Sequence, residues 1–129
     1  MILGSLIIYS YLRNMNVKSI LLAVFWFTVA HVTVWFQLNG QFIWPWFKKN
    51  EWLVALSGAI ISFFYIWGTR YGVDGFGGLF WPNRFLGFAI GIFIYGIFVS
   101  LFFNEGLSAK TLVSLGLCTV LIAIQVLWK

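Results

Sequence analysis

The stretch FFNEGLSAKTLVSLGLCTVLIAIQVL, residues 102–127, sets one short polar break, NEGLSAK, between two runs built almost wholly from Leu, Ile, Val and Phe. So short a break joins two helices only as antiparallel neighbours. Apolar runs of this kind on both sides of it fit helices that meet lipid as much as they meet each other. Working outward, the whole chain repeats the pattern. Of its 129 residues 62% are hydrophobic and 9% are charged, and a soluble domain of this size has no way to keep that much apolar surface from water.

The chain therefore reads as an all-α integral membrane protein, a single membrane domain over 1–129. Four apolar windows have the length of about 20 residues that a spanning helix needs: 17–38, 52–68, 85–103 and 112–128. A fifth apolar stretch, MILGSLIIYSYL at the N-terminus, rises by about 1.5 Å per residue and reaches roughly 18 Å, too short to cross. Residues 1–16 are expected to form an interfacial or partly inserted segment. The stretch has neither the basic start nor the small-residue cleavage site of a signal peptide, so it is expected to stay on the mature chain. The expected architecture is a four-helix membrane bundle with this short interfacial segment in front of it.

The net charge is +5, but the basic residues stand at the ends of the apolar windows and form no patch, which argues against a nucleic-acid partner. With the N-terminus inside, Arg13, Lys18, Arg70, Arg84 and Lys129 lie on the inner side, and Lys48, Lys49 and Lys110 on the outer. Five against three is a weak positive-inside bias toward both termini inside, and it leaves insertion in both orientations open. A plasma or inner cell membrane, crossed several times, is the expected location.

The connections carry their own signals. Residues 39–51, NGQFIWPWFKKNE, combine Asn39-Gly40 and Pro45 as turn signals with Trp44, Trp46 and Trp52 as interface anchors. Residues 69–84, TRYGVDGFGGLFWPNR, hold four glycines and read as a loop that bends sharply or approaches other backbone closely. Pro82 suits the first turn of the helix that follows, and Ser108 suits the cap of the last one. Within the windows, Gly87 and Gly91 stand four apart with Gly96 beyond, Gly116 and Ala123 stand seven apart, and Ser57, Gly58, Ala59 and Ser62 cluster. Small residues at such spacings let helix backbones approach in lipid, either inside the chain's own bundle or against a second copy or partner.

Few side chains could carry chemistry. His31 is the one ionisable residue well inside a window, and such a residue is costly in hydrocarbon unless it meets a partner or a wet cavity. Thr28 and Trp35 share its helical face, and Gln37 adds polarity toward the end of the same window, so His31, Thr28, Trp35 and Gln37 form the candidate substrate-binding set. Three readings of His31 stay open: a neutral residue tying helices together, a cavity-lining group, or a proton-coupling group with an unperturbed pKa near 6.5. No metal site is expected, because there is no second His and Cys118 stands alone in an apolar run, where a packing thiol is the natural reading. YGVDGFGG has too few carboxylates for calcium and no Lys-Ser/Thr ending for a phosphate loop. Arg70 and Arg84 flank it and are placed to pair with Asp74 or with lipid phosphates. No paired carboxylates, Ser-His-Asp or Cys-His set is visible, so no enzyme and no cofactor is expected.

The hairpin quoted at the outset carries one further signal. A glycine-punctuated helix ending in Phe102-Phe103-Asn104-Glu105-Gly106-Leu107-Ser108, followed by a Lys-containing helix start, resembles the last hairpin of the small multidrug resistance family and its parent drug/metabolite transporter superfamily. Glu105, Leu107 and Ser108 carry the match. Upstream, His31 occupies the place of the family's acidic residue in helix one, and Trp44-Pro45 sits near its Trp-Pro before helix two. The resemblance implies a four-helix fold working as a dimer. With His31 in the carboxylate's place, and with RFLGFAIG where the family has site-lining aromatics, it implies kinship with members that move a small polar or lipid-linked metabolite, or with divergent ones that have no transport role, rather than cation-for-proton exchange. The alternative, from a different class, is a noncatalytic accessory subunit whose aromatic surface, 22% of residues with eight Trp, packs against a larger membrane complex. A third reading is a lipid-headgroup binder using Arg70, Arg84 and the glycine-rich segment. Membrane lipid is the common partner of all three.

Overall fold

The computed structural model describes residues 2–127, without the side chains of Ile8, Tyr11, Leu12, Arg13, Val126 and Leu127. The charges counted at Arg13 and Lys129, and the end of the last window at Trp128, therefore lie outside the described residues. Most of the described residues are helical: α1 (Ile2–Arg13), α2 (Val17–Asn39), a 3-10 turn (Gly40–Phe42), α3 (Pro45–Lys49), α4 (Glu51–Gly75), α5 (Phe80–Phe103) and α6 (Ala109–Leu127). Three stretches are long and apolar enough to cross a membrane: Val17–Phe42, Glu51–Gly75 and Phe80–Phe103. The expectation of four is met only to that extent, since α6 is the shorter apolar helix of the set.

Each boundary has a local cause. Asn16 caps α2 by accepting from the Ser19 amide at 3.3 Å. Pro45 opens α3, where its missing N–H costs no helical bond. Ser108 accepts from the Thr111 amide at 3.3 Å and so caps α6. Asn104, in the left-handed region at φ 53°, closes α5.

The glycine-rich segment 69–84 is where the structure departs most from the sequence reading. It is not a loop. α4 continues through Gly72 to Gly75 and α5 already begins at Phe80, so only residues 76–79 connect them. Gly77 and Gly78 take the positive φ values of 64° and 90° that a turn needs. Gly78 donates to the Val73 carbonyl at 2.8 Å and Gly77 to that of Asp74 at 3.1 Å, the paired bonds of a Schellman ending. Gly72 and Gly75 instead lie buried with Gly68 on one face of α4. A methyl group at Gly75 would fall 2.9 Å from the Ile20 backbone nitrogen, so this end of α4 lies backbone against backbone on the start of α2. The close approach expected of these glycines is present, but a helix makes it.

α2 is the central element. It packs most extensively on α4 and next on α5, and α6 packs on α5. Its buried side chains include Ala23, Phe27, Ala30 and Trp35, and the first two face slots that glycines leave. Phe27 lies over Gly68 of α4 and Gly87 of α5, and Ala23 over Gly72. The outer surface presents large apolar side chains such as Leu21, Phe25, Ile60, Phe63, Phe93 and Leu101 to the surroundings, the surface chemistry of a chain that meets lipid. On α6 only Leu115, Cys118 and Ile122 are half-buried among the described side chains, and the rest are exposed.

Candidate functional site

His31 stands at the meeting point of α2, α4 and α5. The Tyr65 hydroxyl of α4 lies 3.2 Å from His31 Nδ1, and the two rings meet edge to face with centroids 5.3 Å apart. On the opposite side the imidazole rests on Gly91 of α5, where an added methyl group would fall 2.5 to 3.0 Å from three ring atoms. Gly91 is thus the slot that admits the ring, and Tyr65 is the partner that satisfies it.

The pair opens onto a cavity of about 640 Å³. α2 contributes Phe27 and His31, α4 contributes Tyr65 and Thr69, and α5 contributes Trp81, Asn83, Arg84 and Phe88 among others. Asn83 is 5% exposed, and its Oδ1 is buried against Gly72 with no hydrogen-bond partner among the described residues. Arg84 is exposed at the rim and within Coulombic reach of both His31 and Tyr65. The walls are otherwise aromatic. An apolar pocket with a few convergent polar groups is the usual form of a small-molecule site.

The remaining sequence candidates are not brought together here. Thr28 is exposed and its hydroxyl donates to the Val24 carbonyl at 2.7 Å within its own helix. Trp35 is buried at the far end of α2 among Phe98, Phe102 and Phe103, with ring centroids 5.1, 5.4 and 6.0 Å away. Its Nε1 has no acceptor among the described residues. Gln37 ties α2 to α4, its Nε2 donating to the Val54 carbonyl at 2.9 Å and to Ser57 Oγ at 3.4 Å. It lines a second, apolar cavity of about 520 Å³ with Trp46 and Phe47. The spacing argument put Thr28 with His31, but a helix packed on two sides buries only part of that face.

Arg70, Asp74 and Arg84 also separate. Asp74 accepts from the Ser19 hydroxyl at 2.5 Å, and no ion pair joins it to either arginine among the described residues. Arg84 belongs to the His31 cavity, and Arg70 is exposed away from it. Glu105, Leu107 and Ser108 lie in and beside the exposed α5–α6 connection, at the opposite end of α5 from Arg84. Among the described residues no three of His, Cys, Asp and Glu stand close enough to share a metal ion.

Tyr65 and Asn83 are the site residues that sequence reasoning missed. Tyr65 is hidden in the run Phe63-Phe64-Tyr65-Ile66-Trp67, and Asn83 lay in the segment read as loop. One signal was available: Gly68 and Gly72 repeat the four-residue spacing of Gly87 and Gly91, the mark of a second close-packed helix face. Comparison with family models, with curated proteins and with solved structures finds no match to this chain.

Proposed function

We propose that this chain is a small transporter-like membrane protein, of the four-helix type that its 102–108 motif resembles, which takes up a small polar or lipid-linked metabolite and works as a dimer. The observation that carries this reading is the cavity beside His31. An ionisable side chain in a long apolar helix is costly without a partner or a wet cavity; His31 has a partner in Tyr65 and opens onto a space of about 640 Å³ whose wall holds a few polar groups. That volume lies within the range of small-molecule sites, roughly 300 to 1,000 Å³. The dimer and a fourth crossing are supported by α6. Its 19 residues span about 28 Å at 1.5 Å per residue, close to the roughly 30 Å of a hydrocarbon core. Its exposed face leaves ample surface for a second copy. In a cell membrane with both termini inside, the Arg84 rim opens toward the inner leaflet.

The same exposed α6 face favours a second reading, an accessory subunit that packs against a larger membrane complex. Native mass separates the two when the protein is extracted in mild detergent from cells expressing only this chain. A monodisperse dimer is the expected outcome, followed by uptake of labelled polar metabolites into proteoliposomes that falls in a His31→Ala variant. Recovery only together with a larger host complex would sink the transporter reading, as would a His31→Ala variant with normal uptake across about pH 5.5 to 8.

A further inference from the structure

The charge pattern of the His31 cavity points beyond the presence of a ligand to its class. We propose that the cavity takes an amphipathic organic anion, with its phosphate or carboxylate group at Arg84 and its apolar body between Phe27, Trp81 and Phe88; this rests on the reading of the cavity as a binding site.

Three observations carry it. The cavity has one fixed charge, the Arg84 guanidinium, and no Asp or Glu lines it. The chain has only three acidic residues; Asp74 is hydrogen-bonded to Ser19, and Glu51 and Glu105 belong to the other end of the helices. No internal carboxylate therefore neutralises Arg84 in the site, and an incoming anion can pair with it through a planar, two-pronged contact. A cation would meet Arg84 with no opposing charge, which selects against it.

The second observation is the Asn83 amide beside Arg84 in the cavity wall: its Oδ1 is buried against Gly72, and no hydrogen bond among the described residues takes its Nδ2. The oxygen is an acceptor and offers an anion nothing, so it is the Nδ2 group that can donate to a phosphate or carboxylate oxygen held at Arg84. The third is position along the helix. His31 packs at the level of Gly91, seven residues beyond Arg84 or about 10 Å along α5. Between the two levels the walls are Phe27, Gly87 and Phe88. A ligand that reaches from the charged rim to the His31–Tyr65 pair must therefore cross an aromatic band, which suits a flat or acyl body and not a bare inorganic ion.

The test is equilibrium binding to the full chain in phosphatidylcholine nanodiscs, with empty nanodiscs as reference, using 1-naphthyl phosphate, 1-naphthylmethylammonium and inorganic phosphate. Saturable binding of 1-naphthyl phosphate is expected, at least about tenfold tighter than either of the others. Arg84→Gln is expected to remove that preference and Arg84→Lys to keep part of it. Arg84 is an exposed side chain, so neither variant threatens the fold. A second titration at high salt, with part of the lipid replaced by phosphatidylglycerol, separates the sources of the anion. Competition by the lipid assigns the site to a headgroup phosphate, and unchanged affinity assigns it to a water-soluble anion. Equal binding of the ammonium, equal binding of inorganic phosphate, or an Arg84→Gln variant with unaltered preference would each overturn the proposal. Binding is read without movement across the membrane, so a failed uptake assay sinks the transporter reading alone, and a failed anion preference sinks this one alone.

Discussion

A methyl group added at Gly91 would stand 2.5 to 3.0 Å from three atoms of the His31 ring, whereas one added at Gly116 would meet nothing within 4 Å. The two substitutions are chemically identical, and their contrast isolates what the His31 slot contributes. Gly91→Ala forces the imidazole off Gly91 and strains its contact with Tyr65. Overpacking of this kind costs about 1 to 3 kcal/mol. Within the single chain Gly116→Ala meets no neighbour, and replacing a helical glycine there stabilises by up to about 1 kcal/mol. Thermal unfolding in nanodiscs is expected to show Gly91→Ala melting below the parent and Gly116→Ala at or above it. A double-mutant cycle with His31→Ala gives the sharper check, because removing the ring removes the clash. A coupling of more than about 0.5 kcal/mol is expected, and additive effects would mean that the ring is not what Gly91 accommodates.

At the scale of helices, the junction of α2 with α4 is held by polar contacts as well as by glycine packing. The Ser19 hydroxyl donates to Asp74 at 2.5 Å, and the Asn16 amide donates to the Gly75 carbonyl at 3.0 Å. A hydrogen bond to a charged acceptor contributes about 1.5 kcal/mol or more. Ser19→Ala is therefore expected to raise amide exchange by roughly tenfold over residues 16–20 and 72–78, with the exchange of α6 unchanged. Uniform change along the chain would indicate a global effect and not a local one. This junction is also where sequence reading fell short. The windows 17–38, 85–103 and 112–128 lie close to α2, α5 and α6, because long apolar runs ending in polar residues define a helix by composition alone. The window 52–68 stopped seven residues early. Gly72 and Gly75 look like turn residues by propensity, and only the presence of α2 on the opposite side makes them the residues that permit contact. His31 was legible because an ionisable group in an apolar run is rare. Its partner Tyr65 was not, since nothing in a run of aromatic residues distinguishes the hydroxyl that will meet another helix.

For the molecule as a whole, the proposed topology makes orientation depend on a small difference in charge. On the proposed topology of four crossings with the Arg84 end inside, the inner side would hold five basic residues and the outer side three, and insertion follows the Lys and Arg count of short flanking segments. Lys18 and Arg70 are both exposed, and neither lines the His31 cavity, so they can be neutralised without touching the site. Lys18→Gln with Arg70→Gln equalises the two sides, and a population inserted in both orientations is expected. The measurement is labelling of a single cysteine by a membrane-impermeant maleimide on intact cells, with Gly106→Cys introduced into a Cys118→Ala background. A side chain at Gly106 meets nothing within 4 Å, so the probe is accessible wherever the α5–α6 connection lies in water. With the native charges the larger share of the connection is expected to label from outside. With the two charges removed, labelling is expected to fall to about half. Complete labelling of both proteins would mean that packing of the helices, and not the count of basic residues, sets the orientation. The Arg84 rim would then keep its face of the membrane in every molecule of the population.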